Sequence, residues 1–419
     1  MAKFFNVTGA CTPARHYMVD LESRLKEIRV MVDAGEYFSI SKARQYGKTT
    51  LLRALADYLR CDHLVISLDF QRMSSADFEN ESSFVNGLAR EVLRVIRHMK
   101  PEMPENVERE LKELAGRDQG SFKMAAIFEV FSQWCEESKS PMVLIIDEVD
   151  TASNNQVFLD FLAQLRAGYL EREMIPTFQS VILAGLYDIR NIRKRIRPEE
   201  EHKSNSPWNI AAKFRVDMGF SLEDIHGMLA EYEADYHTGM DISQISKLIY
   251  DYTSGYPYLV SWICKCMDEE ISDREGFPDK SSAWTKAGFL EAVKLLIEDT
   301  NPLYQSMKGK LTDYPNLRLV LYDLLFTGKS VLYTAMNEEI EMAAMFGFIK
   351  NMDGMAVISN RIFETVLYNW FMSREYSDSR LYDEGARERS QFIADGPGHR
   401  LPGGAVCDRD EGVAGQCVS

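Results

Sequence analysis

Tyr37-Phe-Ser-Ile-Ser-Lys-Ala-Arg-Gln-Tyr-Gly-Lys-Thr-Thr-Leu-Leu52 passes from an apolar strand through a short loop into a helix opened by Gly47-Lys-Thr-Thr50. A loop that ends at a helix N-terminus turns unpaired backbone N–H groups and the positive end of the helix dipole toward an anion. Gly47 carries no Cβ to hold phosphates away, Lys48 has the reach for β and γ phosphates, and the Thr49 hydroxyl suits Mg²⁺. This spacing predicts phosphate contacts from Arg44, Gln45, Tyr46, Gly47, Lys48, Thr49 and Thr50. The pattern is half complete, because Lys42 stands where a first glycine is usual. Taken alone, Gly-Lys-Thr also suits a plain surface turn.

The second stretch is Met142-Val-Leu-Ile-Ile-Asp-Glu-Val-Asp150. Its apolar run fits a strand buried on both faces, as in a parallel sheet covered by helices. The acidic pair then falls at the carboxyl end of the strand, where open α/β sheets bind ligands. Asp147 is the candidate to hold Mg²⁺ through water, and Glu148 the candidate to orient or deprotonate an attacking water. Acids that merely end a core strand are the bland alternative; the phosphate-type loop upstream favours the site.

The 419 residues leave room for two or three domains and a sizeable core. Lys plus Arg number 48 against 64 Asp plus Glu, a formal charge of -16, which argues against broad adhesion to nucleic acid or anionic membranes. No apolar run reaches the length of a membrane span, and Met1-Ala-Lys-Phe-Phe-Asn6 lacks a signal-peptide core, so a soluble, cytoplasmic protein is expected. Seven cysteines are scattered without a Cys-x-x-Cys pair, and Cys264-Lys-Cys266 sits in an apolar helical pattern that reads as buried thiols in a reducing compartment.

Residues 1–220 read as the α/β core. The segment around His16-Tyr-Met-Val-Asp20 leads into a helix and is placed to lie against a base, with His16 and Tyr17 either stacking on it or serving the core. Strands are expected at 36–41, Leu64–Phe70, 142–147, Ser180–Gly185 and Lys213–Met218, with helices between them. The end of the fourth strand is Ala184-Gly185, so a polar group sensing the γ-phosphate falls to Tyr187 or Asp188. Arg190, Arg193, Lys194, Arg195 and Arg197 run into Glu199-Glu-Glu201, a self-neutralising loop more than a nucleic-acid patch. Arg215 is a candidate to face phosphate or a neighbouring subunit.

From Ser221 the periodicity turns helical, beginning with the capping box Ser221-Leu-Glu-Asp224. Residues 221–300 read as a helical lid whose Gly255-Tyr-Pro257 turn reaches over the nucleotide. Residues 301–375 read as helices plus a strand, an Asp353-Gly354 turn and a second strand, the pattern of a winged helix. Such a unit can place a helix in the DNA major groove, but its recognition segment Asn337-Glu-Glu-Ile-Glu341 is acidic and favours protein contact or a structural role. Residues 376–419 are charged, then Gly-rich, and are expected to be disordered; a frameshifted or truncated end is an alternative source of the abrupt change at Pro397.

His16-Tyr-Met-Val-Asp20, Ala43–Thr50, Val65-Ile-Ser-Leu-Asp-Phe-Gln71, Ile146–Asp150, Ser206-Pro-Trp-Asn-Ile-Ala211 and Ser254–Pro257 in combination resemble the bacterial AAA-ATPase-like proteins. These are related to the STAND-like and origin-recognition branches of the P-loop ATPases. The resemblance spans about residues 1–390 and implies an ATPase core, a lid with a Gly-x-Pro turn and a winged helix. It also implies ATP in preference to GTP. Many members continue into a PD-(D/E)XK nuclease-like domain, and here the nearest tripeptide, Glu110-Leu-Lys112, lies in a charged helix. The combined expectation is a Mg²⁺-dependent ATP-binding protein, a slow ATPase acting as a switch on a protein partner or a second copy of the chain. A non-hydrolysing scaffold or DNA-binding regulatory module is the alternative.

Overall fold

Apolar side chains alternate along each core strand and so reach both faces of one parallel sheet. Its strands are β1 (Phe38–Ser41), β2 (Leu64–Asp69), β3 (Met142–Asp147) and β4 (Ser180–Gly185), in the spatial order β1-β4-β3-β2. In the computed structural model the described residues are 3–99, 103–116, 122–186 and 208–378. Val143 and Ile145 of β3 join Phe38, Ile40, Ile182 and Ala184 in a core closed by α1 (Glu22–Asp33) and α2 (Lys48–Leu59). Leu144 and Ile146 point the other way, into the layer of α3 (Glu81–Met99), α4 (Glu105–Ala115), α5 (Met124–Glu137) and α6 (Gln156–Glu171). Each Leu or Ile so enclosed contributes about 1.5–3 kcal/mol, which is why the central strands are nearly free of polar residues.

The expected fifth strand at Lys213–Met218 is not formed. Ala212 alone pairs with Phe38, its N–H donating to the Tyr37 carbonyl at 2.8 Å, and the chain then leaves the ladder. Val216 and Met218 nevertheless remain buried in the α1–α2 layer. The alternation in Phe214, Val216 and Met218 therefore specifies side-chain burial at the sheet edge, which an extended segment provides without backbone pairing.

Three longer helices follow, α7 (Leu222–Tyr236), α8 (Ile242–Thr253) and α9 (Pro257–Glu269), then the short α10 (Lys280–Ala283) and α11 (Lys286–Glu298). The expected capping box opens α7: the Asp224 N–H donates to Ser221 Oγ at 3.0 Å, and the Ser221 N–H to Asp224 Oδ2 at 2.8 Å. Cys264 and Cys266 are buried on α9, and burial raises both thiols, Cys266 to about 12, so they stay protonated. The stretch filled by α10 and α11 carries no element in the sequence reading.

The chain continues through α12 (Pro302–Asp313), α13 (Pro315–Tyr322) and α14 (Glu338–Met345) to an antiparallel hairpin, β5 (Ile349–Met352) and β6 (Met355–Ile358). Asp353 and Gly354 both take positive φ, 52° and 84°, as a two-residue hairpin turn requires. Leu332 adds a bridge to Met355 beside the hairpin. The helix α15 (Arg361–Asp378) leads into a second compact unit that starts at Thr365, within which Trp370 and Phe371 meet edge to face at 4.9 Å. Tyr187, Asp188, the 190–201 charge cluster and the tail beyond 378 lie outside the described residues. Among the described residues no helix is long and apolar enough to cross a membrane.

One turn fixes the helical layer to the core. Ser254 ends α8 in the left-handed conformation, Gly255 follows with φ 71°, and the Gly255 carbonyl accepts from the Phe220 N–H at 2.8 Å. A Cβ on Gly255 would fall 1.9 Å from the Phe220 carbonyl oxygen. Gly255→Ala therefore breaks this junction and should cost about 2–4 kcal/mol, read as a lower urea midpoint. An unchanged midpoint contradicts the assignment of Gly255 to the junction.

Candidate functional site

The loop from Lys42 to Gly47 leaves β1 at its carboxyl end, and α2 starts on Lys48. Two of its residues are left-handed, Gln45 at φ 58° and Gly47 at φ 79°, which folds the backbone into a short arch ahead of the helix. Leu51, Leu52, Leu55, Ala56 and Leu59 anchor α2 in the core, so the helix N-terminus is held rigidly at the edge of the sheet. Anion binding needs such a preset array of N–H groups, since ordering a mobile loop on binding would cost affinity.

Lys48 is buried, with 9% of its surface exposed, and its ammonium donates to the carbonyls of Lys42 at 2.8 Å and Ala43 at 3.1 Å. Burial lowers its pKa, against the opposing pull of the Glu148, Asp150 and Asp147 carboxylates. At the end of β3, Asp147 Oδ2 accepts from the Thr49 hydroxyl at 2.8 Å. Glu148 follows in the left-handed region, φ 55°, with its N–H on Asp147 Oδ1 at 2.9 Å. Burial raises the Glu148 pKa, and the adjacent Asp147 charge raises it further. The sequence-predicted Lys48, Thr49, Asp147 and Glu148 are thus brought to one place, although β1 and β3 are separated in the sheet by β4.

Arg44, Gln45, Tyr46, Gly47 and Thr50 line a cavity of about 390 Å³. The amino-terminal segment, Asn6 to Gly9 with Cys11, and Pro257 and Tyr258 at the start of α9 line the same cavity. The Cys11 N–H donates to Thr50 Oγ1 at 3.0 Å, which ties that segment to the first turn of α2. Tyr17 also lines the cavity, while its hydroxyl donates to Asp235 Oδ2 at 2.6 Å and its ring packs on Phe5 and Tyr232. His16 is buried away from the cavity, its Nδ1 accepting from the Thr12 N–H at 2.8 Å. Of the two aromatics, His16 serves the core and Tyr17 serves both core and wall. Arg215 lines a separate cleft with Glu27 and Met31.

The Gly255-Tyr-Pro257 turn meets the loop directly. The Tyr256 hydroxyl donates to the Arg44 carbonyl at 2.5 Å, and its ring lies edge-on to Tyr46 at 4.8 Å. The carboxy-terminal part of the first unit closes on the same spot: a Cβ on Gly347 would come within 2.9 Å of Ala43 Cβ, and Lys350 Nζ donates to Ser254 Oγ at 2.9 Å. Sequence reasoning missed Asn6 to Gly9, Arg24, Phe220 and Pro302 as cavity residues. These residues are placed in the cavity by tertiary packing, which no local pattern encodes.

The donor set fits a nucleoside triphosphate with a divalent cation. Thr49 and Asp147 bring two hard oxygen ligands together, and Lys48 supplies a buried cation beside them. Gln45 Oε1, on the same loop, is enclosed with no hydrogen-bond partner among the described residues. Residues 14–277 match the family described as AAA-like domain. None of the curated proteins matches the sequence. The fold resembles that of the Walker-type ATPase of Pyrococcus abyssi, with TM-score 0.55 and 12% identity over 87% of this chain and 99% of that one. Cdc6p from Pyrobaculum aerophilum aligns at TM-score 0.41 and 12% identity, covering 88% of this chain and 97% of that one.

Proposed function

We infer the function from one premise: the chain belongs to the AAA-like family of P-loop ATPases. Its reading here is a Mg²⁺-dependent ATP-binding protein that hydrolyses ATP slowly and uses the nucleotide as a switch. The observation that carries it is the convergence of Lys48, the Thr49–Asp147 hydrogen bond and Glu148 at the carboxyl end of the sheet. The triphosphate would take the arch of Lys42–Gly47 and the N-terminus of α2, with Arg44, Gln45, Tyr46, Gly47, Lys48, Thr49 and Thr50 around it. The base would enter the cavity walled by Asn6 to Gly9, Tyr17 and Tyr258.

Each residue has a distinct part. Lys48 gives up its two carbonyl acceptors and turns its ammonium to the β and γ phosphates, a stronger, charge-assisted pairing. Thr49 and Asp147 would hold Mg²⁺, which when bound neutralises charge between the β and γ phosphates. Glu148 orients the attacking water and takes its proton; its raised pKa makes it a better base than an exposed glutamate. The helices α7–α11 act as the lid, and α13, α14, the hairpin and α15 as a winged helix. Because Tyr256 and Gly347 both touch the loop, a change of loop conformation on binding or hydrolysis is felt by both elements.

The effector is a protein partner or a second copy of the chain. Glu338, Glu339 and Glu341 crowd the first turn of α14, the helix that would have to approach phosphate in a DNA complex. Like charge at that position disfavours the duplex.

Glu148→Gln should bind MgATP with near wild-type affinity and lose about 10²–10⁴-fold in turnover. In the wild type, turnover should fall as pH drops through a midpoint above the ordinary glutamate value, because the raised pKa protonates the base early. Equal turnover in the two proteins would remove Glu148 from the chemistry. Lys48→Ala should weaken ATP binding by at least about tenfold, measured by titration calorimetry. Unchanged affinity would sink the phosphate site.

A further inference from the structure

The end of β4 presents Ala184 and Gly185, neither with a polar side chain to report on a phosphate. The backbone there is engaged on both sides. The Gly185 carbonyl accepts from the Lys42 N–H at 3.2 Å, at the root of the phosphate loop. The next N–H, that of Leu186, donates to Asp150 Oδ2. These two groups belong to the same peptide plane, so one rigid amide joins the phosphate loop to the acidic turn. The close fit depends on glycine: a Cβ on Gly185 would lie 2.9 Å from Asp150 Oδ1 and 3.0 Å from Val149 Cγ2.

Asp150 also builds the turn that carries Glu148. Its carbonyl accepts from the Ser153 N–H at 3.1 Å and the Ser153 hydroxyl at 2.7 Å, and the Glu148 carbonyl accepts from the Thr151 N–H at 3.1 Å. Glu148 is held left-handed, a conformation that a non-glycine residue keeps only where its surroundings impose it. The Asp150 carboxylate, fastened to the end of β4, is one such restraint.

We propose that Asp150 is a positioning residue of the hydrolytic site, holding Glu148 in register with the phosphate loop through the Gly185–Leu186 peptide. This assignment rests on the ATPase reading above. Asp150 supplies through backbone the link that a polar side chain at the end of β4 would otherwise make. It touches no substrate and transfers no proton.

The test compares wild type, Asp150→Ala, Asp150→Asn and Gly185→Ala in full-length protein, measuring MgATP affinity, kcat and melting temperature. Asp150→Ala should keep MgATP affinity within about threefold and lose about thirtyfold or more in kcat. Asp150→Asn should recover part of kcat, since its amide oxygen still accepts from Leu186. Gly185→Ala, which displaces the carboxylate by contact, should reproduce the loss of kcat with Asp150 intact. Wild-type kcat in Asp150→Ala would overturn the proposal, as would parallel loss of affinity, kcat and melting temperature in all three variants. A wild type that binds MgATP without turnover would instead refute the ATPase reading on which the proposal stands.

Discussion

A lysine ammonium enclosed in protein must find partners or give up its charge. Lys48 finds them among backbone carbonyls of its own loop and in the field of Asp147, Glu148 and Asp150. Those acids stand at the end of β3, so the burial of one cation fixes where the loop after β1 and the acidic end of β3 must lie. The sheet order places β4 between them, and its terminal peptide spans the gap. Nucleotide phosphates would replace the loop carbonyls as partners of Lys48, which makes the loop's internal bonding a function of occupancy.

The loop is also the meeting point of the rest of the first unit. Its carbonyls at Lys42 and Ala43 are taken by Lys48, and that of Arg44 by Tyr256. Gly347 leaves no room for a side chain against Ala43, and Lys350 reaches Ser254 beside the same turn. Arg24 braces the connector between core and helices, its guanidinium donating to the Asp217 carbonyl at 2.9 Å, the Gly219 carbonyl at 2.7 Å and Asp224 Oδ2 at 2.6 Å. Packed interfaces of this kind have few discrete arrangements, so a loop rearrangement has structural consequences beyond the site.

Much of this was legible in the residues. The unbroken apolar run of Met142–Ile146 and the helix-period pattern after Gly47 specify their elements locally, and both formed where expected. The Ser221 capping box and the Asp353-Gly354 turn are likewise local chemistry. Lys213–Met218 misled because alternation reports burial, and an edge segment can bury alternate side chains without joining the ladder. The amino-terminal wall of the cavity and the role of Tyr256 depend on contacts between residues far apart in the chain, which no periodicity encodes. Asp150 was visible as the last acid of its motif, but its bond to Leu186 exists only once β3 and β4 are side by side.

The central claim is that one nucleotide engages the loop, the amino-terminal segment and the Gly255-Tyr-Pro257 turn together. Amide hydrogen exchange on the full-length protein, with and without a slowly hydrolysed ATP analogue and Mg²⁺, measures this directly. The account predicts that exchange slows jointly at residues 6–11, 42–50 and 255–261. Protection confined to other segments, or protection of 42–50 alone with residues 6–11 and 255–261 unchanged, would contradict it.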